Sequence, residues 1–133
     1  MRFAGELIDM IVETLETSQY AVAHLLDVDP HTLSNNRDKR VEALAPTTKK
    51  KLISLYQVVR DLTGMKGEVI MAVLQRNVFA DEDGRKDSVV SAIQQDKYDL
   101  EVLQQIVETA RAQVHDQQLK KYPDVSSVIT VPA

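Results

Sequence analysis

The residues that most constrain this chain run from Ser18 to Arg40, SQYAVAHLLDVDPHTLSNNRDKR. Val22, Ala23, Leu25 and Leu26 are apolar at helical spacing, and Ala23 is small enough for a second helix to cross close to it. Val28 closes this set before a tight turn. Asp29-Pro30 then opens a second helix. Aspartate is a good N-cap, and proline suits the first helical position, where its missing N–H costs nothing. Thr32, Ser34, Asn35, Asn36 and Arg37 follow, with Leu33 as the only apolar residue among them. A short helix held by one apolar anchor, with hydroxyl, amide and guanidinium groups facing out, suits reading base edges in a DNA major groove. The same residues also fit an ordinary helical hairpin with a polar surface.

The charge distribution bears on that choice. The formal net charge of the chain is −4, which alone argues against a nucleic-acid partner. The charges are unevenly placed, however. Met1 to Val28 carries one arginine against five acids, and Asp61 to the end carries eight Lys/Arg against twelve acids. Between them, Asp29 to Arg60 carries seven Lys/Arg against three acids. Positive charge is therefore concentrated on and just after the second helix of the pair, as a phosphate-contacting surface requires.

The rest of the chain reads as helices. Phe3, Leu7, Ile8, Ile11 and Leu15 make a 3.6-residue stripe over 2–16, with Glu6, Asp9, Glu13 and Glu16 lying away from it. Thr17 or Ser18 can cap the next helix. Residues 38–46 form a connection in which Val41 and Leu44 pack down. Pro46 marks the start of another helix, with Thr47 as its cap and Leu52, Leu55, Tyr56, Val59 and Leu62 as its apolar face, ended by Gly64. Lys49, Lys50 and Lys51 fall in its first turn, where cations oppose the macrodipole. Three lysines there, with the free N-terminal amides, could hold a phosphate; a solvated surface run is the plainer alternative.

Residues 67–79 are apolar on most faces and predict a helix central to the core or to a subunit interface. A polar loop around Gly84 follows. Its acids lack the spacing of a calcium loop. Asp87 or Ser88 caps a short helix through Val89 and Ile93. A last helix runs from Asp99 to about Lys121, with Leu100, Leu103, Val107, Ala110 and Val114 as a narrow seam that Ile106 widens. That seam can pack on the domain or on a twin helix. Tyr122-Pro123 stops the helix, and DVSSVITVPA forms an extended tail.

These features set the class. Glycine and proline number four each and fall at boundaries, which favours an all-α fold. The chain divides into residues 1–64 around the helix pair, a helical dimerisation or partner-binding region over 65–121, and the tail 122–133. Cysteine is absent, so there is no disulfide framework and no Cys-based metal site. No apolar run approaches the roughly 20 residues of a membrane span, and Met1-Arg2-Phe3 does not open a signal peptide. A cytoplasmic location is expected. His24, His31 and His115 make no metal-ligating pair, and no phosphate loop, nucleophile elbow or cysteine nucleophile is present. Neither an enzyme nor a cofactor is expected.

The arrangement QxxVAxLLxVxPxTLSN over 19–35 resembles the helix-turn-helix of bacterial and phage repressors. Gln19 stands at the helix start, Ala23 at the small crossing position and Leu33 at the buried position of the recognition helix. Asp27 occupies a place where a turn glycine is common, and Asn36 one where a second buried apolar residue is usual. Residues 67–110 add a second likeness. An apolar helix ends in Leu74-Gln75 and Asn77, and a polar loop with Gly84, a short helix through Val89 and Ile93 and a long helix follow. This layout is similar to the C-terminal domain of the Xre/MbcA/ParS-type antitoxins. It departs from that family where Lys86-Asp87 replace a proline, and where Gln94-Gln95-Asp96-Lys97 replace a glycine-containing loop.

The resemblance implies a homodimeric repressor of its own operon, with a cognate toxin bound through the C-terminal region. Candidates for bases are His31, Thr32, Ser34, Asn35 and Arg37. Candidates for phosphates are Lys39, Arg40, Lys49, Lys50 and Lys51, with Gln19 at the start of the motif. Two alternatives remain at the level of sequence: a phage or plasmid regulator without a toxin partner, and a protein-binding adaptor that uses the helix pair as scaffold.

Overall fold

The N-terminal stripe becomes α1, Ala4–Leu15, with Leu7, Ile8, Ile11 and Leu15 buried along one face. The computed structural model describes residues 2–79, 86–95 and 100–121, and these are helical apart from short connections and one two-residue antiparallel pairing. Glu16 closes α1 in the left-handed region, at φ 55°. Ser18, not Thr17, opens α2 (Gln19–Leu26): its Oγ accepts from the Ala21 N–H at 3.1 Å. Val22, Ala23, Leu25 and Leu26 are buried, as their spacing requires.

Asp27 then takes the left-handed conformation, with φ 53° and ψ 50°. This is the backbone a turn glycine would supply, and aspartate is among the few other residues that tolerate it. The turn delivers the chain to α3, Pro30–Asn35, whose cap is the Asp29 carboxylate accepting from the His31 N–H at 2.8 Å. Leu33 is its one buried side chain. Asn36 ends the helix, its N–H donating to the carbonyls of Thr32 and Leu33. After α3 the chain pairs with the N-terminal segment. Gly5 N–H donates to Arg37 O at 2.9 Å, Ala4 N–H to Lys39 O at 2.8 Å, and Val41 N–H to Arg2 O at 3.0 Å. Val41 and Leu44 pack down as expected, around a single 3-10 turn at Val41–Ala43.

α4 spans Pro46–Asp61 and corrects two expectations. Its N-cap is Ala45, without a side-chain bond, and Pro46 holds the first helical position, so Thr47 lies inside the helix. Lys50 and Lys51 consequently belong to the second turn, and only Lys49 meets the N-terminal end of the dipole. Leu52, Leu55, Val58 and Val59 face the core; Tyr56 is half-buried. Leu62 caps the helix, and Gly64 turns the chain at φ 106°.

α5 is shorter than the apolar run, covering Gly67–Gln75. Val78–Phe79 (β1) leaves the helix to pair antiparallel with Lys86–Asp87 (β2). β-Branched and aromatic residues fit an extended edge as well as a helix, so the run does not announce its own end. Residues 80–85, with Gly84, lie outside the described residues, as do Asp99 and the tail 122–133. Ser88 opens α6 (Val89–Gln95), its Oγ accepting from the Ser91 N–H at 3.0 Å. α7 runs from Leu100 to Lys121. Its seam of Leu103, Ile106, Val107, Ala110 and Val114 is buried within the same chain, where α7 packs on α4, α5 and α6. One hydrophobic cluster extends from Ala4 to Val114. Among the described residues no helix is long and apolar enough to cross a membrane.

Candidate nucleic-acid interface

α3 projects from the core on Leu33, which is 1% exposed, while His31, Thr32, Ser34 and Asn35 are all exposed. Four polar groups of three kinds (imidazole, hydroxyl and amide) therefore share a helix of 6 residues. Imidazole, hydroxyl and amide groups can donate or accept hydrogen bonds at base edges. The stiffness of the presentation comes from below. Ala23 is fully buried in α2, and Val28 N–H donates to the Ala23 carbonyl at 3.0 Å, locking the turn beneath α3.

Arg37 and Gln19 occupy a different setting. The Arg37 guanidinium donates from Nη1 to Asp9 Oδ1 at 2.9 Å and from Nη2 to Asp9 Oδ2 at 2.9 Å, a bidentate fork. Nη1 also donates to Gln19 Oε1 at 2.8 Å. One side chain beyond α3 thus binds the first turn of α2 and the middle of α1. The hydrogen bonds from Arg37 hold the Asp9 carboxyl below its ordinary range, and the same contact raises Arg37 further. The amide oxygen of Gln19 and one edge of Arg37 are used inside the molecule, which leaves His31, Thr32, Ser34 and Asn35 as the outward set.

The basic candidates divide. Lys39 and Arg40 follow α3 directly and are exposed, with the Arg40 guanidinium 5.5 Å from the centre of the Phe3 ring. Lys49 and Lys50 instead line a groove with Pro46, Ile53, Ser54, Gln57 and Leu103, facing the start of α7, and Lys51 is half-buried. The sequence spacing from Arg40 to Lys49 carries no information about which way α4 turns those lysines.

Two features had no signal in the sequence. Asp9 was one acid among several on the polar side of α1, and its pairing with Arg37 spans 28 residues. Arg2, Tyr56 and Arg60 come together across 54 residues: Arg2 Nη1 donates to the Tyr56 hydroxyl at 2.7 Å, and both guanidinium groups lie 5.8 Å from that ring's centre. Among the described residues no group of three His, Cys, Asp or Glu side chains is placed to hold a metal ion. Compared with protein-family models, with curated proteins and with solved structures, the chain matches none.

Proposed function

We propose that this chain is a sequence-specific DNA-binding repressor, a helix-turn-helix protein whose recognition helix is α3. One observation carries the proposal: α2, the left-handed turn at Asp27 and α3 form a unit in which α3 buries only Leu33, against the apolar α2, while His31, Thr32, Ser34 and Asn35 face out. That division of labour serves a short helix laid in the major groove, where its exposed side chains meet the bases. Asn35 is the strongest base-reading candidate, because an amide can pair bidentately with adenine. Lys39 and Arg40 would hold phosphates beside it. The helical remainder and the likeness to Xre/MbcA/ParS-type antitoxins extend the proposal to an autoregulating antitoxin, binding a palindromic operator as a homodimer and a toxin through its C-terminal half. The seam of α7 is used within the chain, so a second copy would meet other residues.

The test is binding of the purified protein to the DNA upstream of its own coding sequence, against random duplex, across a salt series. A specific complex with a steep salt slope is expected. Asn35→Ala should cost about 1–3 kcal/mol on the preferred site and little on random DNA. Lys39→Ala should weaken both alike and reduce the salt slope by about 1. Equal binding of parent and both variants to every duplex would remove α3 from the interface. The weight would then pass to a protein-binding adaptor with an acidic surface.

A further inference from the structure

Arg2, Arg40 and Arg60 gather around two aromatic rings on either side of one short backbone pairing. Phe3 and Arg40 are bridge partners, and the neighbouring residue Arg2 reaches Tyr56, whose ring centre also lies 5.8 Å from the Arg60 guanidinium. All three arginines are exposed. Among the described residues Arg2 makes no ion pair, and Arg60 has only its chain neighbour Asp61 at 3.9 Å, with both side chains more than half exposed. Gathering guanidinium groups is unfavourable unless something negative meets them.

The geometry also favours an external anion. A guanidinium near an aromatic ring is attracted by the ring's electrons, while its N–H groups lie in its own plane and stay available for other partners. The ring fixes the fork without using all of its donors, and the Tyr56 hydroxyl takes only one from Arg2. Planar forks of this kind match phosphate oxygens bidentately. The cluster is joined to α3 by backbone: the segment 37–41 that leaves the helix is the one hydrogen-bonded to residues 2–5. A polyanion lying on α3 and continuing past Lys39 would meet it.

We infer that Arg2 and Arg60, ordered by Tyr56, bind the phosphodiester backbone of duplex DNA outside the base pairs that α3 reads. This rests on the proposed DNA-binding function and lengthens its footprint. The experiment uses the full chain and two duplexes: one trimmed to the base pairs whose substitution changes affinity, and one extended by about half a helical turn on each side. The double variant Arg2→Gln, Arg60→Gln should bind the long duplex roughly three- to tenfold more weakly, with a salt slope lower by about 2, since each lost phosphate contact removes about 0.9. On the trimmed duplex it should match the parent. Arg2→Lys, Arg60→Lys should recover the slope. That recovery separates loss of charge from loss of folding, which thermal melting monitors in parallel.

Parental affinity and slope for the double glutamine variant on the long duplex would overturn the inference. So would an equal loss on both duplexes. If Asn35→Ala still loses specific binding in either case, α3 remains the reading helix and only the extended footprint falls. If Asn35→Ala is also silent, the DNA-binding function itself fails, and the arginine patch falls with it.

Discussion

Arg37 ties the end of α3 to two earlier helices, and its fork with Asp9 makes the tie sensitive to pH. The two side chains are 32% and 56% exposed, so screening keeps the pair modest, about 0.5–1 kcal/mol at neutral pH. Asp9 is depressed chiefly by the hydrogen bonds from Arg37. A carboxylate depressed on folding contributes its stability above its unfolded value, about 4, and loses it as pH falls through the lower folded value. Asp9→Asn removes the charge and keeps the shape. The parent should therefore melt higher than Asp9→Asn near pH 7, with the gap narrowing once the pH falls below the unfolded value of about 4. A gap that persists or widens in acid would show that the pair contributes through something other than this ionisation. The ion pair was not legible in the chain: an acid on the polar side of an amphipathic helix looks the same whether it meets water or an arginine 28 residues away.

Elements that begin on a chemical signal were readable, and those that end by competition were not. Ser18, Asp29-Pro30 and Pro46 each sit at the start of a helix, because capping oxygens and the fixed φ of proline act locally. The stop of α5 at Gln75 depends on Val78–Phe79 finding Lys86–Asp87, a pairing no local pattern records. The start of α5 holds a tighter constraint. A Cβ on Gly67 would stand 2.5 Å from the Leu15 carbonyl oxygen and 2.8 Å from its carbon. Both atoms are backbone, so neither can rotate away. Alanine favours a helix by about 1 kcal/mol over glycine, yet forcing α5 off the end of α1 should cost about 1–3 kcal/mol. The balance falls at this contact: Gly67→Ala should lower the thermal midpoint in an unfolding scan. A rise would mean that α1 and α5 separate easily.

The whole molecule answers a question that no single helix could. Amphipathic stripes say that a face is buried, not what covers it, and so the chain reads as two regions meeting near residue 64. The structure instead runs one core across that point. Leu15 abuts Gly67, α6 packs on α2 and α4, and the Gln94 amide donates to the carbonyls of His24 and Leu25 at 3.2 and 3.1 Å. Those carbonyls lie at the end of α2, one step before the turn that aims α3. The C-terminal helices thus complete the environment of the proposed reading unit. A fragment of residues 1–64 would lose the cover that α5, α6 and α7 give to α1, α2 and α4, and a chain of that length is already marginal. It should fail to unfold as a cooperative transition, whereas the full chain should show one transition in calorimetry with matching calorimetric and van't Hoff enthalpies. A 1–64 fragment that melts cooperatively within a few degrees of the full chain would make the halves independent modules. The carbonyl contacts of Gln94 would then have no part in holding the turn.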